Sequence, residues 1–324
     1  MSKDWSRTKI RADMGRSDEV LRARVLACLV VAGLLLAGIT GSSGNTSEVI
    51  AAKGHVQFYK PQIPARPLSS NAVPLVMPAG YKIVKAGPFN APSDTQTLGK
   101  VACPGTEVPV GGGVLTSPVG SNNPLLFANI NSSYPFDNSW FVDVNTSSGS
   151  GADADFDVYA VCIDKVASYS VVSSSLVDNP AGTLTLATAS CPTNRVLIGG
   201  GAFSNSSNVA VNINADFPAG TTWRVVMDNS STADASLGAY AICEKQPSGY
   251  SQQNSIQTVP SGVETPLAVD CPAGSLPLSG GDFTGAVSGL DLSSSLPSSY
   301  DWVTFMNDGN SESWPFETIV VCAA

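Results

Sequence analysis

The chain has 324 residues, 43% of them hydrophobic and 13% charged, a balance that excludes a wholly disordered polymer and requires a buried core. The formal net charge is −9, and residues 81–324 hold seven Lys/Arg against twenty-one Asp/Glu, which excludes nucleic acid as a partner because phosphate binding needs clustered cations. Gly 30 and Pro 22, set among Ser, Thr and Asn tracts, favour short strands and many turns, so the expected fold class is all-β.

In chain order, residues 1–24 form a basic segment with seven Lys/Arg (Lys3 to Arg24) against four acids, and are expected to stay in the cytoplasm. Residues 25–40 are uncharged and apolar, which marks a signal anchor or signal peptide. As a helix they rise roughly 24 Å, somewhat less than the roughly 30 Å hydrocarbon core; Leu21 and the snorkelling Arg22 and Arg24 cover the shortfall. The basic flank stays inside, so the C-terminal part faces out. The expected location is therefore extracytoplasmic, either as a single-pass membrane protein or secreted after cleavage. The best cleavage match, Val49, Ile50 and Ala51, lies late, which favours an uncleaved anchor, with Cys28 packed in the membrane helix. Residues 41–80 read as a stalk, partly extended by Pro61, Pro64, Pro67, Pro74 and Pro78. His55, the one histidine of the chain, lies in this stalk and reads as solvated.

The remainder repeats itself three times, over 81–168, 169–249 and 250–324. Tyr81 stands 22 residues before Cys103, Tyr169 stands 22 before Cys191 and Tyr250 stands 21 before Cys271. A proline follows each of these cysteines (Pro104, Pro192, Pro272), and then a glycine cluster: Gly111 to Gly113, Gly199 to Gly201, and Ser279, Gly280 and Gly281. Pro135, Pro218 and Pro297 each precede a tryptophan by five residues (Trp140, Trp223, Trp302), and an asparagine follows at five or six (Asn145, Asn229, Asn307). Each copy closes on an apolar strand ending in Cys162, Cys243 or Cys322. In the first copy strands are expected near 98–103, 107–114, 125–130, 140–145 and 157–162, with equivalents in the others. The joins between copies are short, so the copies should pack together.

Six exported cysteines allow fifteen pairings. Identical units should use identical internal staples, which selects Cys103–Cys162, Cys191–Cys243 and Cys271–Cys322. Separations this long, without CxxC or a nearby histidine, argue against a cysteine metal site.

Several residues admit a functional and a structural reading. The tryptophans could be sugar-stacking platforms, but Trp140 shares strand phase with Val142 and Val144, and Trp223 with Val225 and Met227, which places them in the core. The glycine clusters lack the Lys-Ser/Thr of a phosphate loop and read as places where a backbone or the Trp ring comes close. In the third copy Asp282 takes the place of Val114 and Ala202. Asp153, Asp155 and Asp157 alternate, so that in a strand they share one face, where calcium could bridge them. With no histidine outside the stalk, Ser-His and Cys-His catalysis is not expected, and no organic cofactor is. Carboxylate-pair hydrolysis stays open.

The third copy carries eight acids and no base. Asp282, Asp291 and Asp301 are therefore candidate contacts for a cationic partner surface or a divalent ion.

The pattern running from Cys103, Pro104 and Gly105 to Tyr159, Ala160, Val161 and Cys162 resembles tandem units of exported bacterial proteins, mostly of unknown function. It is also similar to the stapled units at the tips of adhesive pili and phage fibres. That resemblance covers 81–324 and implies surface binding, without transferring any active-site residue. The expected function is non-enzymatic attachment or ligand binding at the cell surface, with a glycan as one candidate ligand. The alternatives are a secreted carbohydrate-active hydrolase using two carboxylates, and a structural envelope component.

Overall fold

The computed structural model describes residues 77–118, 127–147 and 153–324, all within one unit that spans Tyr59–Ala324. The expected anchor over 25–40 and nearly all of the stalk lie outside the described residues. The described secondary structure is all strand, and no helix among those residues is long and apolar enough to cross a membrane.

Six strands form from the first copy: β1 (Lys82–Ala91), β2 (Gln96–Ala102), β3 (Val108–Pro118), β4 (Ala128–Phe136), β5 (Ser139–Thr146) and β6 (Ala154–Ile163). The second copy gives β7 (Ser170–Ser173), β8 (Val177–Asn179), β9 (Thr183–Ser190), β10 (Val196–Ser204), β11 (Val211–Ala219), β12 (Thr222–Asn229) and β13 (Ala235–Glu244). The third gives β14 (Ser251–Val259), β15 (Glu264–Asp270), β16 (Leu276–Phe283), β17 (Leu290–Pro297), β18 (Asp301–Asp308) and β19 (Trp314–Ala323). β1 and its counterparts were not among the expected strands. They pair antiparallel with β6, β13 and β19, β1 with a register shift between Ala86 and Phe89, and their own apolar alternation is too broken to announce them.

These strands build three sheets, and each sheet mixes two copies. The first runs β1-β6-β3-β17-β18-β15, the second β2-β5-β4-β10-β13-β7 with β8 beside β13, and the third β14-β19-β16-β11-β12-β9. Copies one and three share the first sheet, one and two the second, two and three the third, so the connectivity closes on itself. The joints are equivalent single bridges: Val114 opposite Ser295, Ala202 opposite Ser133, and Asp282 opposite Asp216.

The tryptophans explain why a copy must divide its strands in this way. Trp140, Trp223 and Trp302 lie at 0–1% exposure, each reaching across from one sheet to the middle glycine of its own copy in another. A Cβ on Gly112, Gly200 or Gly280 would stand 2.2–2.5 Å from the ring of Trp140, Trp223 or Trp302. The first and third glycines meet backbone instead. A Cβ on Gly113, Gly201 or Gly281 would lie within 2.3 Å of the carbonyl of Ser295, Ser133 or Asp216 on the joint strand. The expectation of close approach by a ring or a backbone is met at all these positions.

The three disulfides are Cys103–Cys162, Cys191–Cys243 and Cys271–Cys322, closing separations of 59, 52 and 51 residues. The opening tyrosines link neighbouring copies. Tyr81 Oη donates to Pro277 O at 2.9 Å, Tyr169 Oη to Pro109 O at 2.8 Å and Tyr250 Oη to Leu197 O at 2.8 Å. Each copy is thereby pinned to the one before it, in the same cyclic sense as the sheets. The asparagine equivalence needs one correction. The register partners of Asn129, Asn212 and Asp291 are Asn145, Asp228 and Asn307, so Asp228, and not Asn229, occupies the equivalent position.

Candidate functional site

In the row that crosses each joint, side chains on the outer face of the sheet differ sharply among the three sheets. In the second sheet the row reads Lys100, Phe141, Tyr134, Gly201, Tyr240. In the first it reads Ala268, Val303, Leu296, Gly113, Tyr159, and in the third Thr188, Arg224, Phe217, Gly281, Ile319. Five aromatic rings gather on the outer face of the second sheet, whereas the third carries one pair, Phe217 and Phe283 at 4.9 Å.

Because Gly201 has no side chain, the Tyr134 and Tyr240 rings stack over it, with centroids 5.5 Å apart and planes 14° apart. Phe141 continues the stack at 5.9 Å and 23°. Phe203 meets Tyr134 edge-on at 5.4 Å, and Phe136 meets Phe141 edge-on at 5.8 Å. Phe136 is 56% exposed, and the other four rings are half-buried. Lys100 Nζ stands 5.5 Å over the Phe141 ring, a cation–π arrangement. Asp143, opposite Ser132 on the same face, has its carboxyl raised above the usual range by burial, with a hydrogen bond from Ser132 opposing the rise. Burial, Asp143 and Tyr240 together raise the Tyr134 phenol. The result is an apolar strip edged by a cation, a carboxyl and two phenols. Sequence reasoning passed over it because its residues belong to five strands and two copies.

The carboxylates singled out from the sequence fall elsewhere. Asp155 and Asp157 lie on one face of β6, opposite the buried Ala154, Phe156 and Val158, and Asp153 just precedes the strand, but β1 and the turn after it engage each of them. Asp153 Oδ1 accepts from Ser93 N at 2.9 Å, Asp155 Oδ1 from Asn90 Nδ2 at 3.3 Å, and Asp157 Oδ2 pairs with Lys85 Nζ at 2.8 Å. Among the described residues, no group of three or more His, Cys, Asp or Glu is placed to hold a metal ion.

Asp282, Asp291 and Asp301 are scattered rather than gathered on a contact face, and each faces a second carboxylate. Asp301 stands opposite Asp270 at a strand end, raised by burial with Ser298 opposing. Asp291 is part-buried and sits beside Asn129, whose Nδ2 donates to its Oδ2 at 3.3 Å. Burial and then the charge of Asp228 push Asp291 up to about 7. Asp282 has 0% exposure, so it cannot touch a partner surface. Its expected role there is corrected by the geometry of the joint: the position held by Val114 and Ala202 points inward. The partners Asp216 and Asp228 lie in the second copy, and lining up the copies on their tryptophans would have found both.

A shallow cavity of about 130 Å³, lined by Pro78, Ile163, Glu244, Leu278 and Ala324 among others, brings parts of all three copies together. It is smaller than the roughly 300–1,000 Å³ of small-molecule sites. No protein-family model matches the chain, and no curated protein is significantly similar to it.

Proposed function

We propose that this is an exported attachment protein whose three β copies, arranged about a pseudo-threefold, bind glycan on the aromatic face of the second sheet. The observation that carries this reading is the stacked Phe141–Tyr134–Tyr240 row, flanked by Phe136 and Phe203, on one of three equivalent faces. Aromatic rings offer apolar contact to sugar C–H faces, while the Tyr134 and Tyr240 hydroxyls, Asp143 and Lys100 supply the polar contacts that sugar hydroxyls require. A hydrocarbon-binding face would have no use for that edging. Three disulfides fit an oxidising, extracytoplasmic setting, and the apolar run over 25–40 would either tether the protein or direct its secretion.

The test is a glycan-array screen of the full chain, with polysaccharide turnover assays alongside it. Retention of a defined glycan class without turnover supports the reading. Turnover would favour the carboxylate-dependent hydrolase, and neither retention nor turnover would favour a structural envelope component.

A further inference from the structure

Of the three equivalent sheet joints, one is built from acids. Val114 faces Ser295 and Ala202 faces Ser133, whereas Asp282 faces Asp216. The change extends around Asp282. The buried positions filled by Val142 and Val158 in the first copy, and by Val225 and Ala239 in the second, hold Thr304 and Thr318 in the third. All of these residues have 0% exposure, and the two threonine hydroxyls bond to each other. Asp216, at 7% exposure, accepts the indole N–H of Trp223, the role that Ser133 and Ser295 play for Trp140 and Trp302. Neither oxygen of Asp282 meets a side-chain donor among the described residues, and only the backbone N–H groups of Asp282 and Asp216 oppose the rise of its carboxyl.

A second acid pair lies at the same contact between copies two and three. Between the other copies, Asn145 Nδ2 donates to Asn212 Oδ1 at 2.9 Å and Asn307 Nδ2 donates to Asn129 Oδ1 at 2.7 Å. The third such contact is Asp228 against Asp291, two acceptors. Asp228 takes hydrogen bonds from Ser288 Oγ, Gly289 N and Ser230 Oγ, none of which comes from Asp291. No base occurs in 250–324, and Arg224 on β12 is exposed, alternating with the buried Trp223 and Val225. Two further acids lie on β18 and its neighbour: the buried Asp308, whose Oδ1 accepts from Asn310 N, and Glu264, opposite Asn307, which accepts from Ser293 Oγ at 2.6 Å and is raised by its burial.

Asp216 and Asp282 stand directly opposite each other, a position that sets Cβ atoms about 5 Å apart, so two charged carboxylates there repel each other in a dry interior. One proton removes a charge and supplies the missing donor. We propose that the contact between the second and third copies is a proton-dependent latch, in which Asp216 and Asp282 share a proton across the joint and Asp291 keeps another beside Asp228 at its rim. The latch holds at acidic and neutral pH, and weakens as hydroxide removes those protons to water.

The sign follows from linkage. Burial, opposed by the Trp223 hydrogen bond, raises Asp216 from 3.8 to about 7, and burial with the charge of Asp216 raises Asp282 well above its usual range. The folded state therefore holds these protons more tightly than the unfolded chain, and stability falls as pH climbs from about 4 through about 7 and beyond.

The test is calorimetric melting of the full chain from pH 5 to 9, compared with the double variant Asp216→Ser and Asp282→Val, which takes the residues of the Ser295–Val114 joint. The wild type is expected to lose roughly 10 °C across this range and the variant much less. The wild type should also show an infrared carboxylic-acid C=O band at pH 7 that Asp282→Asn weakens and Asp282→Asn with Asp291→Asn weakens further. A flat wild-type profile, a variant profile parallel to it, or a missing acid band would overturn the proposal. So would a divalent ion retained through purification whose chelation lowers Tm, since a cation would then bridge the acids.

Discussion

Trp223 packs on Gly200 with 1% exposure and bonds Asp216 through its indole N–H. Its ring fills the space between two sheets, and nothing smaller spans it. Trp223→Ala is therefore expected to cost about 3–5 kcal/mol, the range for a large buried aromatic, measured by denaturant unfolding; an unchanged midpoint would place the ring outside the core. Asp291 poses the opposite case, a residue whose replacement should help. Asn129 and Asn212 hold the equivalent positions, and Asp291→Asn replaces an acceptor with a donor facing Asp228. Because Asp291 is raised from 3.8 to about 7, its cost to folding grows from about pH 4 and reaches its full size above about pH 7. The substitution should stabilise by about 1–3 kcal/mol at pH 9, discounted for partial exposure, and by little at pH 5. Equal effects at both pH values would show that charge is not the cause.

The tyrosine pins join one copy to the next. Tyr250→Phe removes the hydroxyl that donates to Leu197 O and accepts from Gln252 Nε2, and should cost about 1–2 kcal/mol, because a carbonyl is left short of its donor. Denaturation midpoints for Tyr81→Phe, Tyr169→Phe and Tyr250→Phe should fall together; one variant falling alone would break the equivalence of the three contacts. Such elements were partly legible beforehand. The spacings of Tyr, Cys, Gly and Trp mark the copies, and strand phase places Trp140 and Trp223 inside, because burial writes itself into alternation. The sharing of each sheet between two copies was not legible, since it depends on which edge strand meets which. Nor was the aromatic row, because Tyr134 and Tyr240 lie more than one hundred residues apart and meet over Gly201 through a joint that local pattern does not encode.

At the scale of the whole molecule, three sheets close into a ring, and two features depart from its equivalence. One contact between copies is acidic and proton-held; one outer face carries a cluster of five aromatic rings. The first bears on when the ring is stable, the second on what it touches. The aromatic face carries the functional account, so the most direct measurement is titration of the glycan retained on the array against the wild type, Tyr134→Ala and Phe136→Ala, with Tm recorded for each. Loss of a stacking ring worth about 1.4 kcal/mol should weaken binding about tenfold, and Phe136→Ala, at an exposed ring, should do so with Tm unchanged. Glycan affinity that stays at the wild-type value in both variants would contradict the account and move the binding surface elsewhere on the molecule.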